Sequence, residues 1–248
     1  MESGADKRVV IVTGSTSGIG RGVAELLLSR GWKVVLNSLT DDGVGTAMAE
    51  ENDDLIYVCG NIADPHDCQR VVDTAVATWG RIDGLVNNAG TTAFVAIDDV
   101  EGVTGDIWRQ VLDVNVIGTW QMISAAMPHL KVAAPGRIVN IASIAALRPV
   151  GSSVPYSVSK AAVVQMTLLL AKYLGPDVIV NAVAPGLIET PWTQNEAFTA
   201  ARQQVEEHAP LRRAGTPEDV AIACEFLLNT TYTTGECIPV DGGTRLVM

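Results

Sequence analysis

Three residues of this chain could move a proton together: Ser143, Tyr156 and Lys160. Tyr156 and Lys160 open a long apolar stretch with few helix breakers, which predicts the first turn of a helix. Residues four apart share a helix face, so the phenol is expected beside the ammonium. A free tyrosine titrates near ~10 and is a poor base at neutral pH. A fixed positive charge nearby favours phenolate and lowers that value, and lysine, a compact charge on a long stem, suits the task. A tyrosine so placed can give or take a proton at an alcohol or carbonyl oxygen. The pair alone would equally fit a surface helix, and the preceding chain decides between the two.

That preceding chain must supply a frame. Val9–Val12 is a β-branched run ending at Thr13-Gly-Ser-Thr-Ser-Gly-Ile-Gly20, with helical periodicity from Val23 to Ser29. Strand, glycine loop and helix make the context for a bound dinucleotide. Gly14 allows a tight turn, while Gly18 and Gly20 allow backbone to approach a pyrophosphate and the helix to pack on the strand, its N-terminus facing the phosphates. The spacing is Gly-x-x-x-Gly-x-Gly, which an ordinary strand-to-helix turn could also show. Further strands are predicted at Lys33–Asn37, Leu55–Cys59, Asp83–Asn87, Arg137–Ala142, Val178–Val183 and Glu236–Val240. Helices are predicted from Asp64-Pro65 through Trp79, from Asp106 to about Met127, after Tyr156, and over Glu218–Leu228. The alternation implies one α/β domain over residues 1–248, a doubly wound parallel sheet of about seven strands with helices on both faces. The Tyr156 helix is apolar nearly all round (Ala161 to Val164, Met166, Leu168 to Leu170). It is therefore expected to bury one face on the sheet and the other against a second subunit, or both within one chain.

Composition excludes several classes. A formal charge of −11 over 248 residues argues against nucleic acid and anionic membrane surfaces. No apolar run is read as reaching the ~18 residues that span a bilayer, and the N-terminus lacks a signal-peptide core, so a cytoplasmic protein is expected. Cys59, Cys68, Cys224 and Cys237 have no metal-ligand spacing, which predicts buried free thiols, no metal and no disulfide framework.

The motifs Thr13-Gly-x3-Gly18-Ile19-Gly20, Asn87-Asn-Ala-Gly90, Asn115, Ser143 with Tyr156-x3-Lys160, Pro185-Gly186 with Thr190, and Val240-Asp-Gly-Gly243 occur in this order. Together they resemble the short-chain dehydrogenase/reductase family across essentially the whole chain. The resemblance implies a Rossmann-like fold and a catalytic set of Asn115, Ser143, Tyr156 and Lys160. Tyr156 would be the acid or base and Lys160 would lower its pKa and bind the nicotinamide ribose. Ser143 would bond the substrate oxygen, and Asn115 would hold a water reaching Lys160, although it could also be a helix-bending residue. Cofactor contacts would come from Gly14, Ser15, Thr16, Ser17, Gly18, Ile19 and Gly20; from Ser38, Asn61 and Ile62; from Asn88, Ala89 and Gly90; and from Tyr156, Lys160, Pro185, Gly186, Ile188 and Thr190. Asn87 and Gly90 could instead serve mainly a turn. Ser143, Ile144, Ala145, Tyr156, Leu187 and Trp192 would contact substrate, with Thr91–Phe94 and Gly151–Val154 nearby and a lid-like segment at about 187–212.

Two departures from the family pattern stand out. Asn61 replaces the Asp that often meets adenine, although an amide can still donate and accept. The second strand ends in Asn37-Ser38-Leu39, with neither the Asp typical of NAD binders nor a cation for a 2′-phosphate. With Asp41 and Asp42 close by, NAD is the expected cofactor. The resemblance implies an NAD(P)-dependent oxidoreductase passing hydride between a nicotinamide and a secondary alcohol or ketone. The apolar wall, with no arginine clamp, favours a neutral small molecule. A 3-oxoacyl thioester (acyl-carrier-protein) reductase is an alternative, set against the repulsion of an acidic carrier unless Lys131, Lys172 or Arg137 forms a basic patch. A non-catalytic dinucleotide-sensing regulator is a further one. A homotetramer built through the helices of Asn115 and Tyr156 is also expected.

Overall fold

The computed structural model describes residues 7–247. Seven parallel strands form one sheet in the order β3-β2-β1-β4-β5-β6-β7. They are β1 (Val9–Thr13), β2 (Lys33–Ser38), β3 (Leu55–Cys59), β4 (Gly84–Asn87), β5 (Gly136–Ile141), β6 (Val178–Pro185) and β7 (Cys237–Val240). The order reverses between β1 and β4, and the crevice at such a switch point is where open α/β sheets bind ligands. Alternating side chains serve the two faces. Val9 and Ile11 join a core with α3 (Pro65–Trp79), α5 (Thr119–Ala133) and the far end of α6 (Val154–Leu174). Val10 and Val12 pack against α1 (Gly18–Ser29) and α8 (Pro217–Asn229). This is the expected Rossmann-like α/β architecture.

Several details differ from the sequence reading. Helix α1 starts at Gly18, because the end of the glycine loop is itself the first helical turn. Helix α2 (Val44–Glu50) was not anticipated; the absent side chain of Gly45 admits the Tyr57 ring, which a Cβ would meet at 2.3 Å. The helix expected from Asp106 to about Met127 is α4 (Gly105–Leu112), a π-helical turn (Asp113–Gly118) and then α5. At the end of that turn a Cβ on Gly118 would lie 2.8 Å from Ile62. Widened turns of this kind are frequent at functional sites, and Asn115 sits inside this one. Helix α6 also corrects the expectation about membrane spans, since it is long and apolar enough to cross a bilayer by length and composition. Here one face of it packs on the sheet, with Ser159, Lys160, Val163 and Thr167 buried, while Leu168, Leu169 and Tyr173 on the other side are exposed.

The glycine loop is locked to β4. Asn88 Nδ2 donates to Thr13 O and Gly14 O, both at 2.9 Å, and the Thr13 hydroxyl accepts from the backbone N–H groups of Asn88 and Ala89. A Cβ on Gly20 would lie 2.3 Å from Gly14 O and 2.4 Å from Asn88 Nδ2. These are backbone and braced groups that cannot move aside. Gly20→Ala should therefore cost about 3 kcal/mol or more, a fall of roughly 6–12 °C in Tm for a domain of this size. Calorimetry checks this, and an unchanged Tm would show that the loop can relax.

Candidate active site

A cavity of about 900 Å³ runs along the carboxyl ends of the strands. At one end Gly14 and Gly18 take positive φ (61° and 54°), conformations that side chains disfavour. Ser17 precedes α1 without a side-chain cap, and the first turn carries no acid. The helix thus presents uncapped N–H groups and its positive dipole end to the cavity, an arrangement suited to a pyrophosphate. These residues fit a dinucleotide. Thr16, Ser17, Ile19, Ser38, Asn61, Ile62, Asn88, Ala89 and Gly90 line the same wall, and Pro185, Gly186, Ile188 and Thr190 face them.

Ser15 and Gly20, expected among the cofactor contacts, do not line the cavity. Ser15 is buried and tied to β2: its N–H donates to Asn37 O and its Oγ accepts from Asn37 N. Gly20 serves the close packing described above. Asn61 Oδ1 accepts from Ala63 N, which leaves its NH₂ without a partner among the described residues. The Ser38 hydroxyl is held by Thr40 O at 2.7 Å and Tyr57 OH at 2.8 Å.

The other end is built by α6 and the turn after β5. Ser153 caps α6, its Oγ accepting from Tyr156 N at 3.3 Å. One turn on, Lys160 is buried at 5% exposure; its Nζ donates to Ile141 O at 2.9 Å and stands 5.8 Å from the centre of the Tyr156 ring. Phenol and ammonium thus share one helix face, as their spacing predicted. Burial with no carboxylate partner pulls Lys160 down to about 8. Burial pushes the Tyr156 phenol up from its ordinary value, while a hydrogen bond with Ser143 pulls it back. The expected fall caused by Lys160 is not found: the ammonium lies against the ring and a carbonyl, and exclusion of water dominates. Tyr156 therefore holds its proton at neutral pH.

Asn115 is buried just outside the cavity. Its Oδ1 accepts from Thr91 N at 2.7 Å, and its Nδ2 donates to Thr91 O and Ser159 Oγ, both at 2.9 Å. Ser159 in turn donates to Tyr156 O. Asn115 braces the loop after β4 against α6. Gly90 lies between it and Lys160: a Cβ there would be 3.3 Å from Asn115 Oδ1 and 3.5 Å from Lys160 Nζ.

Ile144, Ala145, Leu187 and Trp192 line the end of the cavity beside Tyr156, and the Trp192 ring meets Tyr156 edge-on at 6.2 Å. Phe94 likewise meets Phe198 edge-on at 5.6 Å. The sequence reading missed Gln110, Val114, Arg148 and Thr244; Ala201, Gln204 and Val205 of α7 (Thr199–His208) lie in the segment at about 187–212 that it expected near the substrate, without being named singly. Helical spacing could have grouped Ala201, Gln204 and Val205, whereas nothing local marks Arg148 or Thr244. The expectation of a wall without arginine is corrected by Arg148, whose Nη1 reaches the Thr244 carbonyl across the fold at 3.0 Å.

The family model described as enoyl-(acyl carrier protein) reductase matches residues 14–245. A Streptomyces violaceoruber protein named as a ketoacyl reductase of the granaticin polyketide synthase is 51% identical over 242 residues, 96% of each chain. A Brucella melitensis structure, described as 3-ketoacyl-(acyl-carrier-protein) reductase complexed with NADH, superposes with a TM-score of 0.87 at 31% identity, covering 95% of this chain and 97% of that one. A structure described as ElxO with NADP bound gives 0.88 at 27% identity, covering 97% and 99%. The match over nearly the whole chain, on a sheet with one cavity lined by both the glycine loop and the Tyr156–Lys160 pair, makes this chain a member of the short-chain dehydrogenase/reductase family, an NAD(P)-dependent oxidoreductase acting on ketone and alcohol groups.

Proposed function

We propose that the chain works as a ketone reductase with Tyr156 as the proton donor and NADH as the preferred cofactor. The observation that carries this is the Tyr156 phenol with the Lys160 ammonium one helical turn behind it, lining with Ser143 the opposite end of one cavity from a dinucleotide cradle. A bound nicotinamide would supply hydride to the carbonyl carbon. Tyr156 gives its proton to the oxygen as charge develops there, and Ser143 donates a hydrogen bond to that oxygen. Lys160, one turn behind, keeps positive charge under the ring below about pH 8. Residues 187–212 would act as the lid, with Trp192 over Tyr156. A non-catalytic sensor would have no use for this end of the cavity.

A 3-oxoacyl thioester is the substrate class that the 51% identical ketoacyl reductase and the NADH-bound neighbour favour. At the end beside Tyr156 the walls include Phe94, Ile144, Leu187, Trp192 and Phe198, apolar side chains suited to an acyl chain. Oligomerisation as a tetramer is supported by exposed Trp120 on α5 and Leu168, Leu169 and Tyr173 on α6, and by Ile222 and Phe226 on α8. Large apolar side chains in such number on helix faces mark association surfaces. Cytoplasmic placement fits the four free thiols.

The preference for NADH follows from the adenosine end. Among the described residues, no lysine or arginine lines that end, and the Ser38 hydroxyl is already engaged. A 2′-phosphate would find no cation there, and Asp41 and Asp42 stand nearby at the start of α2. We expect kcat/KM with NADH to exceed that with NADPH by about 10-fold, the size of one missing charge-assisted contact. Steady-state rates with both cofactors, over 3-oxo esters, 3-oxoacyl thioesters and simple ketones, test the whole reading. Higher efficiency with NADPH would overturn the cofactor assignment, and no turnover of any ketone would overturn the reductase.

A further inference from the structure

We infer that Arg148 is a specificity residue that binds an oxyanion on the substrate, carried beyond the reacting carbonyl. The inference rests on the ketone-reductase reading for where that carbonyl sits. Arg148 lines the cavity in the turn between Ser143 and α6, and it is half-buried. A guanidinium carries five N–H donors. Among the described residues this one makes a single hydrogen bond, from Nη1 to Thr244 O. That bond accounts for pinning the chain end to the wall and leaves the rest of the fork uncommitted.

The charge balance makes this unusual. The chain has 28 acidic residues against 17 lysines and arginines, yet among the described residues no carboxylate lines the cavity. The nearby acid of the C-terminal turn, Asp241, is turned away: its Oδ1 accepts from Gly243 N and its Oδ2 from Arg245 N. Arg148 and Lys160 are the cavity's charged side chains. Lys160 is committed to Ile141 O beneath the Tyr156 ring, so Arg148 is left to meet a ligand. A cationic wall with no counter-ion favours an anion, and the flat fork of arginine matches a carboxylate or phosphate edge.

Two sources share this chemistry, a carboxylate on the substrate itself and the phosphate of a phosphopantetheine arm carrying it as a thioester. Matched pairs separate them. One pair is a series of oxo acids of increasing chain length with their methyl esters; the other is a 3-oxoacyl phosphopantetheine thioester with its dephosphorylated pantetheine counterpart. For one pair, wild type should favour the anionic member in kcat/KM by about 10- to 100-fold. That ratio should fall to near 1 in Arg148→Met and recover partly in Arg148→Lys, which keeps the charge but not the fork. Reading a ratio cancels any general loss from a disturbed wall. If neither ratio depends on residue 148, the guanidinium is only a prop for Thr244 and the inference is wrong. A second arm needs no turnover: straight-chain carboxylates, compared with their carboxamides, should raise the Tm of wild type and not of Arg148→Met. Equal shifts in both proteins would overturn the site even if the reductase reading also failed.

Discussion

Tyr156→Phe should lower kcat by at least about 10³-fold, some 4 kcal/mol at roughly 1.4 kcal/mol per decade, while leaving nicotinamide affinity nearly unchanged. The substitution keeps the ring, and with it the edge contact to Trp192 and the neighbouring Lys160 ammonium. It removes the one hydroxyl that is both buried enough to stay protonated and bonded to Ser143. Among the described residues no other group beside that serine offers a titratable proton: Lys160 Nζ is aimed at Ile141 O, and Asn115, outside the cavity, is engaged with Thr91 and Ser159. Pre-steady-state mixing with excess cofactor separates chemistry from binding, and calorimetry gives the nicotinamide affinity. A variant that keeps more than a tenth of the wild-type rate would mean the proton comes from elsewhere. A variant that loses cofactor binding would mean the phenol holds the seat and does not perform the chemistry.

Lys160→Met should cost about 10²-fold or more in kcat and, at the same time, make the protein harder to unfold at pH 7. Burial lowers the lysine from 10.5 to about 8, so the folded state holds a cation it disfavours by on the order of 3 kcal/mol. The hydrogen bond to Ile141 O returns about 1 kcal/mol of that. Methionine fills the space without the charge, for a net gain of about 2 kcal/mol, or roughly 4–8 °C in Tm. The sign can be tested with pH. Between about 8 and 10.5 the unfolded chain keeps this proton and the folded chain has lost it, so wild-type stability rises with pH across that window. Below it both states are protonated and the penalty is complete. The stability difference between variant and wild type should therefore be largest below pH 8 and shrink towards pH 10. Denaturant titrations at several pH values check this; a gap that stays constant, or a variant that is less stable at pH 7, would mean the lysine is better solvated than its burial indicates.

Local features of the chain were legible in the sequence. The i, i+4 spacing of Tyr156 and Lys160 needs only helix geometry, and the glycine loop declares itself by its flanking strand and helix. The alternation of strands and helices implies a parallel sheet with helices on both faces, which is what the structure shows, whereas the strand order is set by packing that alternation does not record. Features set by distant parts of the fold were not legible. The π-helical turn depends on Gly118 pressing against Ile62, a contact that helix periodicity does not register. Arg148 is placed by the Thr244 carbonyl, 96 residues further along. Gly20 and Ser15 look like ligand contacts in a motif, while the contacts the structure gives them are packing and tethering ones, because the motif records that small residues are needed without recording why. The direction of the Tyr156 shift was misjudged for a related reason. Spacing shows which charge is near the phenol, whereas burial depends on everything else that surrounds it.

The knot of Gly14, Gly20 and Asn88 bears on the order of events in a turnover. One end of the cleft is finished as soon as β1 and β4 lie side by side, since the bonds that shape it are the bonds that join those strands. The opposite wall is capped by two aromatic edge contacts, from Trp192 and from Phe198. If the segment at about 187–212 moves as a lid over the cleft, the expected result is ordered binding, coenzyme first on and last off. Product-inhibition patterns check it; random-order patterns would mean that both walls admit their ligand independently.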